Sequence, residues 1–257
     1  MKNNQRTAIV TGGLHGIGLA IAKELSSQGV IVAIGARRVD DLEHCTDAMA
    51  VVGKQGLIAY LDLQKTSSVE KFVDQVTHEI GPPDILVNAA GITHHHNISD
   101  HSDDDWDAVI NTNLSGPFRM IRSCLPEMKK RSWGRIVNIA STAARVADAT
   151  HGAYCASKAG LVGLTKAVAM EGAPFGITCL SISPGWVETD MLLNSALTIA
   201  SRTGRSQAEE IAIMAASNPQ NRLVQPQEIA ALTAFCCSEA AKGLTMEDIQ
   251  LNAGALW

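Results

Sequence analysis

Aromatic residues are scarce: Phe, Trp and Tyr supply 4% of the 257 positions, and Pro occurs only 8 times against 21 Gly. That balance argues against an all-β sandwich built of many short strands and favours strands alternating with helices. Long apolar runs are also missing. The longest, Val30 to Ala36, is far short of the roughly 18 residues that span a bilayer. The start, Met1-Lys2-Asn3-Asn4-Gln5-Arg6, is polar, and Thr7 to Val10 is too short for a signal core, so a soluble cytoplasmic protein with no membrane contact is expected. Positive charge is not in excess. Lys and Arg number 21 against 26 Asp and Glu, a net charge of −5, which disfavours a nucleic-acid partner. The six Cys show no CxxC spacing and read as reduced, small hydrophobes.

What is present is a core-forming composition, 46% hydrophobic and 18% charged, with a regular alternation along the chain. Short apolar runs at Thr7–Val10, Val30–Ile34, Leu57–Leu61, Asp84–Asn88, Arg135–Ala140 and Ile177–Ser183 have the length and continuity of strands buried on both faces. Helical patterns fill the intervals at Gly18–Gln28, Asp40–Val52, Ser67–Ile80, Asp103–Lys130 and His151–Ala173. Pro126 is expected to kink or divide the fourth of these. Beyond Ser183 come helices at Thr189–Ala200, Ser206–Ser217 and Pro226–Ala240, then a short strand at Asp248–Leu251. The pattern predicts one α/β domain over residues 1–257, a doubly wound parallel sheet flanked by helices, with a helical excursion at about residues 190–223.

Ligands of such sheets bind beyond the carboxyl ends of the strands, so the residues there carry the functional signal. After the first strand, Gly12, Gly13, Gly16 and Gly18, with Leu14, His15 and Ile17 between them, form a glycine turn that opens a helix, suited to a pyrophosphate. After the second, Ala36 stands where a ribose-binding carboxylate would select NAD. Arg37 and Arg38 follow, and guanidinium favours a 2′-phosphate, hence NADP(H), with NAD(H) the alternative. Asp62 and Leu63 follow the third strand, and Asn88, Ala89, Ala90 and Gly91 close the fourth. Ser141 follows the fifth, and Tyr154 and Lys158 lie four residues apart on one helix face. An ammonium beside a phenol stabilises the phenolate and makes it a usable base.

These motifs, with Asn113-Leu114-Ser115-Gly116 and Pro184 to Thr189, resemble those of the short-chain dehydrogenase/reductase family over essentially the whole chain. The resemblance implies a Rossmann fold and a catalytic tetrad. In it Tyr154 is the general acid/base, Lys158 its electrostatic and ribose partner, Ser141 the group that positions the substrate oxygen, and Asn113 the holder of a water linked to Lys158. It further implies that Asn88 to Gly91 line the adenosine side and that Pro184, Gly185, Val187 and Thr189 embrace the nicotinamide. A homotetramer built on the Asp103–Lys130 and His151–Ala173 helices is expected, with a dimer the alternative. Three departures stand out: His15 in place of a common Arg or Lys, Leu244-Thr245-Met246-Glu247-Asp248 where Thr-Gly is usual, and Asn252-Ala253-Gly254 for Asp-Gly-Gly.

Around the substrate, His94, His96, Ala143, His151, Trp186 and Met191 are candidate pocket residues. His94-His95-His96 is read as a polar loop and not a metal site, because three consecutive side chains cannot all reach one ion. Met191 to Leu223 is the expected lid, apolar and carrying only Arg202, Arg205 and Arg222 as cations. The function that follows is hydride transfer between NADP(H) and a carbonyl or secondary alcohol, with a 3-oxoacyl thioester reductase as the leaning. Alternatives are a dehydrogenase of a cyclic, aromatic or steroid-like alcohol using NAD(H), or a non-catalytic nucleotide-sensing protein.

Overall fold

The computed structural model describes residues 5–39, 42–147 and 149–255. The expected helix start at Asp40 lies outside them. Seven parallel strands form one sheet in the order β3-β2-β1-β4-β5-β6-β7. They are β1 (Thr7–Thr11), β2 (Ile31–Ala36), β3 (Leu57–Tyr60), β4 (Ile85–Asn88), β5 (Gly134–Ile139), β6 (Ile177–Pro184) and β7 (Asp248–Leu251). The side-chain period of two splits strands β1 to β6 between two cores. Ala8, Val10, Val32, Ile34, Val137 and Ile139 face one side, while Ile9, Ala33, Leu86 and Ile136 face the other.

The first core is closed by α1 (Gly16–Ser27), α2 (Leu42–Val52) and α9 (Pro226–Cys237). The second is closed by α3 (Thr66–Glu79), α5 (Gly116–Arg131) and α6 (Gly152–Gly172). Because the inner strands are covered on both faces, they read as nearly continuous apolar runs, whereas the edge strand β7, Asp-Ile-Gln-Leu, alternates and is only partly buried. The cysteines behave as expected of small hydrophobes: all six are free and five are buried.

The chain between Asp103 and Arg131 does not divide at Pro126, which sits inside α5. It stays helical throughout and widens only at residues 111–115, one five-residue turn between α4 (Asp103–Ile110) and α5 in which the Gly116 N–H reaches back to the Asn111 carbonyl oxygen. The sequence marker of that boundary is Pro117 in the first turn of α5, where a missing N–H costs no hydrogen bond.

Sheet order reverses between β1 and β4, and their carboxyl ends part there to leave a crevice. Thr11, fully buried, ties the two ends together by accepting hydrogen bonds from the backbone N–H groups of Ala89 (3.1 Å) and Ala90 (3.2 Å) through Oγ1. Gly12 has φ +68°, and a Cβ on it would stand 2.8 Å from the Ala90 Cα, so only glycine fits. Gly18 lets α1 press on the turn, since a Cβ there would lie 2.4 Å from the Gly12 carbonyl oxygen.

The excursion after β6 consists of α7 (Asp190–Thr203) and α8 (Gln207–Ala216). Leu192, Ala196 and Met214 form a small core of their own, against which Trp186, Ile199, Ile211 and Leu223 pack. At the carboxyl end of the chain, both departures from the expected glycines fall on left-handed backbone: Met246 has φ +68° and Ala253 φ +54°. A side chain there carries strain of about 1–2 kcal/mol per residue that glycine would avoid.

Candidate active site

Two cavities meet at the carboxyl edge of the sheet. The outer one, about 350 Å³, runs from Ala36 and Arg37 past Asp62 and Leu63 to the glycine turn and to Ala89, Ala90 and Gly91. The inner one, about 240 Å³, contains Ser141, Tyr154, Lys158, Pro184, Gly185 and Val187. Ile17, Ala89, Gly91, Thr189 and Met191 border both, so the two form one continuous cleft.

Lys158 is buried, and its Nζ donates to the Ile139 carbonyl oxygen at 2.7 Å, which fixes the ammonium at the end of β5. Its Nζ lies 5.5 Å from the centre of the Tyr154 ring. Burial pulls the Lys158 pKa down to about 8, because the charged form loses hydration. Burial pushes the Tyr154 phenol up, against a hydrogen bond from the Ser141 side chain that lowers it and a smaller upward push from Cys155. In the chain alone desolvation outweighs that hydrogen bond. Ser141 Oγ accepts from the Ala143 backbone N–H at 3.1 Å, so its own proton stays available for donation.

Asn113 is fully buried in the wide turn at 111–115. Its amide is committed three times: Nδ2 donates to the Ile92 carbonyl oxygen (2.9 Å) and to Ser157 Oγ (3.1 Å), and Oδ1 accepts from the Ile92 N–H (2.9 Å). A Cβ on Gly91 would lie 3.5 Å from both Asn113 Oδ1 and Lys158 Nζ, so the two residues converge on that glycine. The side chain therefore ties the loop after β4 to α6 beside Lys158.

Of the residues expected to hold a dinucleotide, Gly12, His15, Gly16, Ile17, Gly18, Arg37, Asp62, Leu63, Ala89, Ala90, Gly91 and Thr189 line the outer cavity. Arg37 is exposed and follows Ala36 at the end of β2, with no carboxylate at that strand end among the described residues. Asp62 has its Oδ2 3.3 Å from Lys65 Nζ and accepts from the Gln64 N–H at 3.1 Å. Three of the expected residues fall outside the lining. Leu14 is buried in the first core, Arg38 borders neither cavity, and Asn88 lies beneath the site. There Asn88 Nδ2 donates to Asn138 Oδ1 at 2.8 Å. A strand-end position alone does not tell a side chain that faces the ligand from one that faces the core.

On the substrate side, Ala143, His151, Trp186 and Met191 line the inner cavity, as expected. His94 and His96 do not; they turn towards Asp105. Their neighbour His95 does lean towards the cavity wall: its ring meets that of His151 edge-on at 4.1 Å, and its Nε2 lies 3.2 Å from Ser195 Oγ of α7. The lid cations are all engaged within the chain. Arg202 donates to the His95 carbonyl oxygen (2.7 Å), Arg205 pairs with Glu210 (2.9 Å) and Arg222 with Glu228 (2.6 Å). Leu192 of the expected apolar lid is also in the wall, and Ser195, Val146 and Thr93 complete walls that the sequence reading missed. Ser195 was detectable as the residue one helical turn beyond Met191.

Comparison with known proteins places these features. The sequence matches the short chain dehydrogenase family over residues 6–199. It is 37% identical to a D-beta-hydroxybutyrate dehydrogenase of Cupriavidus necator, covering 99% of this chain and 96% of that one. It is 36% identical to a 3-oxoacyl-[acyl-carrier-protein] reductase of Salmonella typhimurium, covering 97% and 96%. Among solved structures, an actinorhodin polyketide ketoreductase variant crystallised with NADPH superposes with a TM-score of 0.93 at 34% identity, covering 98% of this chain and 97% of that chain.

Proposed function

The chain belongs to the short-chain dehydrogenase family, an oxidoreductase acting on CH–OH groups, and from that premise we propose that it interconverts 3-oxoacyl and 3-hydroxyacyl compounds with NADP(H). The observation that carries the reading is the inner cavity. A hydroxyl pair, Ser141 and Tyr154, stands beside the buried Lys158 ammonium in a space of about 240 Å³ walled by Val146, Val187, Leu192 and Trp186. Those apolar walls suit an acyl chain beside the reacting carbon. The named relatives support the class, since a β-hydroxy acid and a 3-oxoacyl group carry their alcohol or ketone on the same carbon.

The cofactor fits on the structure's own terms. Gly12 and Gly18 let the turn close tightly against Ala90 and α1 at the wall of the outer cavity, the amino end of α1 faces it, and Arg37 stands at the far end without a competing carboxylate on β2. Gly12, Gly16 and Gly18 would hold the pyrophosphate, Arg37 the 2′-phosphate, Asp62 and Leu63 the adenine, and Lys158 the nicotinamide ribose. When bound, the reduced nicotinamide supplies the hydride.

The chain supplies the rest. Ser141 and Tyr154 donate to the substrate oxygen and polarise the carbonyl; Tyr154 then gives up its hydroxyl proton to the nascent alkoxide. The Lys158 ammonium stabilises the resulting phenolate, and Ile139 keeps that ammonium where it is needed. Asn113 maintains the loop that carries Gly91 and Ile92. In the oxidative direction Tyr154 removes the alcohol proton by the same route. The protein acts as a homotetramer assembled on α4, α5 and α6.

The test is NADPH oxidation on a panel of 3-oxoacyl esters and thioesters of increasing length beside cyclic ketones. The reading predicts the highest kcat/KM for 3-oxoacyl compounds. Preference for cyclic ketones would overturn the substrate class, and inactivity of NADPH-binding protein across the panel would favour a nucleotide sensor.

A further inference from the structure

Three neighbouring histidines in a loop cannot all reach one ion, but alternate ones in an extended segment can, because successive side chains point to opposite sides. In the loop after β4, His95 turns to His151 and Ser195, whereas His94 and His96 turn the other way with their rings near parallel, 24° apart. Both then meet Asp105, in the first turn of α4. His94 Nδ1 lies 3.8 Å from Asp105 Oδ1, and His96 Nε2 lies 3.2 Å from Asp105 Oδ2. One donor atom from each of the three residues falls within 4.8 Å of the others. Ligands at metal bond lengths of about 2.1 Å lie roughly 3–3.5 Å apart around a tetrahedral ion, so only a small closure separates this arrangement from a coordination sphere.

The backbone holds the donors in place. The His96 N–H donates to the Thr150 carbonyl oxygen at 3.0 Å, and the Asp105 N–H is capped by Ser102 Oγ at 3.1 Å. His101 closes the cluster, its ring edge-on to that of His96 at 5.2 Å. Its Nδ1 lies 3.1 Å from the Ser102 carbonyl oxygen, which can only accept, so Nδ1 carries a proton. Its Nε2 is buried with no hydrogen-bond partner, an imidazole nitrogen without an occupation on the border of the cluster.

We infer that His94, His96 and Asp105 form a binding site for a divalent first-row transition ion of the Zn²⁺ type, outside the catalytic cleft. Two imidazoles and one carboxylate suit such an ion and disfavour Mg²⁺ and Ca²⁺, which prefer all-oxygen shells. The three side chains are each only partly buried, so an ion reaches them from solvent and water completes the shell. Bound there, it joins the loop after β4 to α4. The same loop carries the His95 carbonyl oxygen that receives Arg202 from α7, so the ion also steadies one anchor of the lid.

The experiment is calorimetric titration of chelator-stripped protein with Zn²⁺ alone and with Mg²⁺ alone, followed by Co²⁺ absorption as a report of coordination number. The site predicts saturation at one Zn²⁺ per chain, not matched by Mg²⁺. H94A, H96A and D105N each weaken Zn²⁺ by at least about tenfold, as loss of a metal-site partner does. H95A, whose ring faces away, stays within about twofold of the wild type, well inside that margin. Absence of saturable Zn²⁺ binding would overturn the inference. So would an H95A loss equal to that of H94A, which is how an unstructured triple-histidine segment behaves, or an unchanged D105N. These readouts need no catalysis, so they stand or fall apart from the proposed reaction.

Discussion

At the scale of single residues, Lys158 shows function set against stability. Its pKa falls from the ordinary 10.5 to about 8 on burial, a cost of about 3 kcal/mol to the folded state, offset in part by the bond to Ile139, worth about 1 kcal/mol. The sign follows from proton counting. Below pH 8 the lysine is charged in both folded and unfolded chains and the full cost is present; between pH 8 and 10.5 the folded chain sheds its proton first, and the cost fades. Lys158→Met is therefore expected to be inactive yet more stable at pH 7 by about 2 kcal/mol, with the gain lost by about pH 10.5. Denaturant melts of both proteins across that range check it, and a pH-independent difference would contradict it. Arg37 makes the complementary case for the cofactor. Arg37→Ala is expected to weaken NADPH by about 10- to 100-fold, the worth of a charge-assisted pair, and to leave NADH nearly unchanged, as read by fluorescence titration.

The tetrad candidates Ser141, Tyr154 and Lys158 were legible in the sequence because their spacing places them at strand ends and on one helix face. Asn88 and Leu14 were misread because a motif records position along the chain but not which face the side chain takes, and both faces here are apolar or hydrogen-bonded.

Among the elements, the strands were readable to within a residue or two, since a doubly covered inner strand needs a nearly unbroken apolar run. The widened turn between α4 and α5 was not. Pro126 looked like an interruption, but the helix tolerates it, whereas the wide turn at 111–115 carries no forbidden residue and is marked only by Pro117 just beyond it. The glycine turn after β1 is where an element depends on one residue. Gly12→Ala places a methyl 2.8 Å from the Ala90 Cα on a left-handed backbone. It is expected to cost at least about 2 kcal/mol of stability, through strain and overpacking together, and to abolish dinucleotide binding. Thermal melting with and without NADPH checks both; a variant still stabilised by NADPH would contradict this account of the turn.

For the whole molecule, the net charge of −5 and an anionic cofactor are reconciled by locality: the attraction comes from Arg37 and the amino end of α1, not from the overall field. Among the described residues no helix is long and apolar enough to cross a membrane. Trp106, Phe118, Met170 and Phe175 are exposed on or beside α4, α5 and α6, where the proposed assembly would cover them. Light scattering is expected to give about four times the 27.2 kDa chain mass, and a Phe118→Asp, Met170→Lys double variant to dissociate; a monomeric wild type would contradict the assembly.

The central claim, that Tyr154 moves the proton in an NADP(H)-dependent reduction, has a direct test. NADPH oxidation with a short 3-oxoacyl thioester is followed for the wild type and for Tyr154→Phe, with NADPH affinity measured on the same samples. Turnover is expected to fall by at least about 100-fold, the usual worth of a general acid, with NADPH affinity unchanged. Turnover retained in the phenylalanine variant would contradict the account.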